Sequence, residues 1–123
     1  MKPLYNSLLD ELYKRCNEFI DAELLSVEVL TPTTIKLLLN TQDKARGYDW
    51  IALELLFEDV EDARIVENSK LKHIDSSEGL GFFYKEGKFV FHCGNSNRKS
   101  GTKDAICYII SNNLRYNEIE AIF

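Results

Sequence analysis

The side chains best suited to chemistry in this sequence are two histidines and three cysteines. His92 and Cys93 are adjacent, and a nucleophilic thiolate would need the imidazole beside it. Neighbouring residues of a strand point to opposite faces, so this pair predicts no active site. Cys93 with His73 from the preceding segment stays open as an alternative, although nothing in the sequence brings these two side chains together.

The cysteines do not have the spacing of a metal site. Cys16, Cys93 and Cys107 show none of the short paired spacings that structural zinc sites use. An odd number leaves one thiol unpaired in any disulfide scheme, and free cysteine is among the most buried residue types. We expect three reduced core thiols. The sequence therefore predicts no metal ion, no cofactor and no catalytic group, and it favours a protein that is not an enzyme.

The densest group of charges is the acidic run at residues 58–62. It lacks the central glycine and the distant glutamate of an EF-hand calcium loop. Two interpretations stay open: a solvated turn, or a surface that binds a basic partner. The carboxylates of the run are Glu58, Asp59, Glu61 and Asp62.

Length and composition indicate what kind of chain positions these residues. The 123 residues fit one domain, residues 1–123, and 45% hydrophobic with 28% charged residues is ordinary for a globular protein. A net charge of −5 opposes nucleic-acid binding, which demands a basic surface. No apolar run approaches the roughly 20 residues of a membrane span, and acidic residues near the start do not fit a signal peptide. We expect no membrane segment and a cytoplasmic location.

The first half of the chain changes from helical to strand periodicity. Residues 3–23 carry apolar side chains on one side of a helix, and Pro3 suits its first turn. Residues 25–30 and 34–40 alternate with period two around Pro32, which predicts a pair of antiparallel strands. Residues 50–58 alternate as a third strand, although their Ala, Leu and Glu content leaves a helix open.

The plainest β-hairpin pattern lies at residues 79–94. A two-residue turn at Glu86-Gly87 gathers the aromatic side chains on one face, whereas a three-residue loop with a bulge would mix the faces. We favour the two-residue turn. It pairs Tyr84 with Phe89, Phe82 with Phe91 and Leu80 with Cys93.

The remaining segments are weaker patterns. Residues 95–103 are basic but lack the glycine and lysine order of a phosphate loop, which predicts a plain connection between strands. The other expectations are a short strand at 64–67, an irregular stretch at 68–78, a strand at 105–111, a turn at Asn112-Asn113 and a polar edge strand at 114–123.

These elements predict a single α+β domain with its N-terminal amphipathic helix packed on one face of an antiparallel sheet of about six strands. The expected core residues are Leu12, Cys16, Phe19, Val27, Leu37, Leu53, Leu55, Phe82, Phe91 and Ile110.

The second sheet face mixes apolar and charged side chains. Apolar anchors within a polar rim are typical of a protein interface. The alternative is that a terminal segment or residues 68–78 cover this face. The predicted partner-binding residues are Trp50, Leu56, Phe83, Val90 and His92, with Glu58, Asp59, Glu61 and Asp62.

The run WIALELLFEDVEDARIVEN, then GLGFFYKEGKFVFHCG and a late apolar strand, resembles small acidic bacterial proteins of the toxin-immunity type and their uncharacterised relatives. The resemblance covers residues 50–111 and carries over no functional residue. It implies a non-enzymatic, stoichiometric binder of a protein partner such as a basic toxin domain. A homodimer contact is a further expectation, and a small-molecule-binding domain or an enzyme of unknown reaction is the alternative function.

Overall fold

An N-terminal helix and an antiparallel sheet make up most of the fold, which confirms the predicted α+β class. The structure, a computed structural model, describes residues 1–93 and 105–123. The predicted connection at residues 95–103 lies outside them. In chain order the elements are β1 (Lys2–Pro3), α1 (Asn6–Arg15), β2 (Glu23–Thr31), β3 (Thr34–Asp43), β4 (Asp49–Arg64), α2 (Asn68–Leu71), β5 (Gly81–Lys85), β6 (Lys88–Cys93) and β7 (Cys107–Glu120), with single 3-10 turns at Asn17–Phe19 and Lys44–Arg46.

Helix α1 ends well before the predicted boundary at residue 23. Asn17, Glu18 and Phe19 all have φ between 55° and 57°, a left-handed conformation that an α-helix does not accommodate. Tertiary hydrogen bonds hold this stretch, because the Leu80 amide donates to the Glu18 carbonyl at 3.4 Å. Pro3 is also outside the helix: it lies in β1, paired with β7.

The sheet has the strand order β2-β3-β4-β7-β6-β5, and β1 pairs with the later half of β7. Strand β7 runs without a break through Asn112 and Asn113, so the predicted turn there is wrong. The register explains the continuity, since Ser111 pairs with Val60 and Asn113 with Glu58 on β4. The segment predicted as an edge strand is therefore the second half of a central strand.

Strand β4 is longer than predicted because the acidic run continues it. Its ladder with β7 carries a bulge, and Asp59 lies in the left-handed region with φ 53°. The run at residues 58–62 is thus a bulged part of the strand and not a turn. The short strand expected at residues 64–67 contributes only Arg64, the last residue of β4.

The β5–β6 hairpin has the predicted register. Tyr84 pairs with Phe89 and Phe82 with Phe91, around a turn in which both Glu86 and Gly87 have positive φ. Leu80, however, precedes β5, and the strand partner of Cys93 is Cys107 on β7.

The core lies between α1 and one face of the sheet. Every expected core residue is buried except Ile110, which the register places opposite Val90 on the other face, while Ile109 takes the buried position. Leu71 of α2 joins the core, so residues 68–78, predicted as irregular, contain a helical turn and close the core side. Across the described residues, no helix has the length and hydrophobicity needed to cross a membrane.

Candidate binding cleft

The predicted partner-binding residues lie on the outer face, by which we mean the sheet face that α1 does not cover. They occupy separate parts of it. Trp50 contacts Phe123 edge to face, with ring centroids 6.1 Å apart. Leu56 lies between Lys36 of β3 and Arg115 of β7. This first group is therefore on the part of the sheet formed by β3, β4 and the end of β7.

The acidic run lies at the bulge, and each of its four carboxylates has a polar partner within the chain. Two of these partners are cations and two are neutral, so the run is only partly neutralised. Lys88 also contacts Asn112, which joins two of these pairs into one network. The pairs are Glu58 with Arg115 at 2.9 Å, Asp59 with Asn112 at 2.8 Å, Glu61 with Lys88 at 2.6 Å, and Asp62 with the Tyr108 hydroxyl at 3.1 Å.

Phe83, Val90 and His92 form the third group, on the hairpin. Val90 pairs with Ile110 of β7, and Ile110 pairs on its other side with Asp62 of β4. Asp62 lies about 20 Å along β4 from Leu56, so the third group is well separated from the first. Val90 is only 6% exposed, whereas Phe83 and His92 are half-buried. The structure thus does not bring the predicted residues into one patch, and their binding role stays a prediction.

Two of these residues, Phe83 and His92, line a cleft of about 890 Å³ beside β5, the last strand in the sheet order. Helix α1, the segment from Val66 to Gly81, and the hairpin form its walls. From the described residues, the lining side chains and backbone belong to Asp10, Tyr13, Glu18, Val66, Lys70, His73, Ile74, Asp75, Glu78, Gly79, Leu80, Gly81, Phe82, Phe83, His92, Cys93 and Ile106.

The floor of the cleft is aromatic and ordered by contacts with the core. The Tyr13 hydroxyl donates to the Leu80 carbonyl at 2.5 Å, which ties α1 to the strand edge. The Tyr13 ring meets Phe19 and Phe82 edge to face, at 5.5 Å and 6.2 Å between centroids. These contacts are typical of aromatic clusters and fix the ring that faces the cleft.

The rim of the cleft is acidic. Among the described residues, Asp10, Glu18, Asp75 and Glu78 line it against one lysine, Lys70. Hydrogen bonds from the Ser77 side chain and amide lower the pKa of Asp75, so this carboxylate is charged at neutral pH. Asp10 also pairs with Lys14 at 3.0 Å, on the exposed side of α1.

His92 lies across the backbone of β5. A Cβ atom at Gly81 would come within 2.1 Å of its Nε2 atom, so a larger residue at this position would displace the ring. The imidazole meets Phe83 edge to face at 5.8 Å. Burial lowers the pKa of His92, which makes the neutral imidazole the form present at pH 7.

His73, His92 and Cys93 all line this cleft, which the sequence could not show. A hydrogen bond with Cys107 and burial raise the pKa of Cys93, so its sulfur is a thiol at neutral pH and not an activated nucleophile. Within residues 1–93 and 105–123, no three His, Cys, Asp or Glu side chains are grouped as metal ligands.

Sequence reasoning missed the acidic rim, because its carboxylates come from α1, the 3-10 turn and the segment before β5. No spacing in the sequence relates these positions. Gly81 was the one available signal, since a glycine inside a strand often marks a close approach of another group. Comparisons with protein-family models, with curated proteins and with solved structures found no match for this chain.

Proposed function

We propose that this chain is a non-enzymatic binding domain that holds a positively charged segment of a partner protein in the cleft beside β5. The observation that supports this function is the pairing of an acidic rim with an aromatic floor. Basic side chains find carboxylates at such a rim, and their aliphatic stems and charges find favourable contacts on aromatic rings.

The electrostatics of the chain favour the same kind of partner. The net charge of −5 attracts a basic protein before the two proteins touch. The carboxylates of the rim then provide charges complementary to those of the bound segment. His92 does not oppose a cation at neutral pH, because burial keeps its imidazole uncharged. The neutral ring can instead accept or donate a hydrogen bond.

An immunity protein that blocks a basic toxin domain in the cytoplasm is the particular case we propose. Such a protein needs only a stable scaffold and a complementary surface, which the acidic cleft supplies. Phe83 is the partly exposed aromatic anchor of the surface, and aromatic residues are enriched among those that dominate binding energy.

A small-molecule-binding domain is the second candidate, and the size of the cleft favours it. Its volume of about 890 Å³ falls in the range of ligand pockets, roughly 300–1,000 Å³. The neutral imidazole of His92 and the rings of Tyr13 and Phe82 would bind a flat, mostly apolar molecule.

The test is titration of a fluorescent oligoarginine peptide with the purified protein, at several salt concentrations. We expect binding that weakens as salt increases. The double variant Asp75→Asn/Glu78→Gln should raise Kd by about 2- to 30-fold, because each exposed ion pair contributes about 0.2–1 kcal/mol. The matched control is Asp49→Asn/Glu120→Gln, which removes the same charge from exposed residues outside the cleft.

An equal loss of affinity in the control variant would mean that overall charge, and not the cleft, attracts the peptide. No measurable binding at low salt would reject the proposal. The small-molecule candidate makes a different prediction: the neutral dye Nile red should bind, lose affinity in Phe83→Ala and be indifferent to the carboxylate variants. Light scattering of the free protein checks for a homodimer.

A further inference from the structure

Two cysteines that the sequence gives no reason to associate face each other in the sheet. Cys93 and Cys107 are directly opposed in the antiparallel ladder of β6 and β7. Opposed residues of such a ladder have Cα atoms about 4.5 or 5.5 Å apart, and both separations suit a disulfide, which needs about 4.4–6.8 Å. The thiols are also hydrogen-bonded to each other, so their side chains already point together.

We propose that Cys93 and Cys107 form a thiol–disulfide exchange site for a low-molecular-weight disulfide of the glutathione class. The proposal does not rest on the proposed binding function, but a protein segment bound in the cleft would cover Cys93. Both cysteines are free thiols in this structure, and the proposed reaction joins them in an intramolecular disulfide.

The location of the pair gives a small disulfide a route to it. Cys93 lines the cleft, whereas Cys107 lies behind it, fully buried. The β5–β6 hairpin is the last pair in the sheet order, and such peripheral units open locally at lower free energy than the whole fold, so the two sulfurs are reachable without global unfolding.

The reaction is two successive exchanges with balanced atoms and electrons. One of the two cysteine sulfurs, as thiolate, attacks one sulfur of the small disulfide, and the other sulfur of that disulfide leaves as a thiolate. The second cysteine sulfur then attacks the first and releases the second small thiolate. The two cysteine protons end on the two released thiols. The protein pair loses two electrons, and the small disulfide gains them.

The hydrogen bond within the pair makes the two thiols unequal. It lowers the pKa of Cys107, helped by the Val66 amide, and it raises the pKa of Cys93. Of the two sulfurs, Cys107 therefore forms the thiolate more readily, and the Cys93 thiol keeps its proton. Cys16 has no such arrangement, since burial raises its pKa to about 12 and its sulfur lies in the core.

The experiment treats the full, folded chain with oxidised glutathione, traps free thiols by acid and alkylation, and combines intact mass with peptide mapping. We expect the free thiols to fall from three to one, with Cys93 and Cys107 linked and Cys16 alkylated. Dithiothreitol should restore all three thiols. Chain first unfolded in guanidinium should give a mixture of pairings, because only the fold selects this pair.

Matched variants separate the pair from the third cysteine. Cys16→Ala should still form the disulfide and lose both remaining thiols, whereas Cys93→Ala and Cys107→Ala should form no intramolecular disulfide. If these variants fail to fold, the mapping of the wild-type chain still decides. Three retained thiols, a glutathione adduct at Cys16, a stable adduct at Cys93 without the second exchange, or disulfides between chains would each overturn the proposal.

Discussion

Replacing Phe91 by alanine tests which face of the sheet forms the core. The Phe91 side chain is 0% exposed, and its ring centroid lies 6.4 Å from that of Phe57. On the neighbouring strands it is opposite Phe82 and Ile109, both buried. Such a site cannot collapse easily around a missing ring, so the variant should lose about 3–5 kcal/mol of unfolding free energy.

Phe83→Ala is the matched control, because it makes the same substitution on the adjacent strand with the side chain on the outer face. Phe83 is half-buried and contacts the His92 ring. Burying part of a phenylalanine contributes about half of the full value, so this variant should lose about 1 kcal/mol.

Equilibrium unfolding in urea, followed by circular dichroism, measures both variants against the wild type. The midpoint of Phe91→Ala should fall by about 2 M if the m-value is about 2 kcal/mol/M. The slope itself should not change. Equal losses from the two variants, or a larger loss from Phe83→Ala, would refute the assignment of the two sheet faces.

Two further predictions concern pH and the C-terminal tail. Burial depresses the pKa of His92 below its ordinary 6.5, so the unfolded chain binds a proton at this residue before the folded chain does. As the pH falls below about 6.5, the wild type should therefore lose stability relative to His92→Gln. Urea midpoints of both proteins from pH 7.5 to 5 measure this difference. A flat difference would contradict this. The Asn40 side chain forms two hydrogen bonds with the Ile122 backbone, at 2.6 and 3.0 Å, and the next residue, Phe123, packs against Trp50. Asn40→Ala should therefore release Phe123 and red-shift the fluorescence emission of Trp50, the single tryptophan. Unchanged emission would contradict this.

Exchanging Phe83 and Val90 together for serine would be a poor test of binding at the outer face. The double variant would not leave the fold intact, because Val90 is only 6% exposed. Losing a buried valine costs about 1.5–3 kcal/mol, so a weaker association in that double variant would not identify an interface. Phe83 alone is the informative outer-face position.

The elements decided by neighbouring residues could be predicted. The register of the β5–β6 hairpin follows from alternation and from Glu86-Gly87, since a glycine in the turn tolerates positive φ and one register alone keeps the aromatic rings on one face. The β2–β3 pair follows from the period-two alternation on both sides of Pro32. Burial of Phe82 and Phe91 then followed, because an apolar sheet face must pack against another element.

The candidate site was only partly predictable. Phe83 and His92 were predicted as binding residues and do line the cleft, because side-chain alternation in the hairpin places both on one face. The binding role predicted for the acidic run stays a prediction, and two of its carboxylates, Glu58 and Glu61, also form ion pairs within the chain. Their partners Arg115 and Lys88 are distant in sequence, so this pairing has no local pattern.

Only the tertiary structure decided where these elements end and which of them lie next to each other. Helix α1 stops at Arg15 because residues 17–19 are held in left-handed conformations by contacts with the segment before β5. Strand β7 passes through Asn112 and Asn113, two good turn formers, because β4 satisfies its backbone along both halves. The acidic rim and the Cys93–Cys107 pair arise in the same way. Alternation along a strand is set by covalent geometry and is legible in the sequence, whereas which strands become neighbours depends on burial summed over the whole chain.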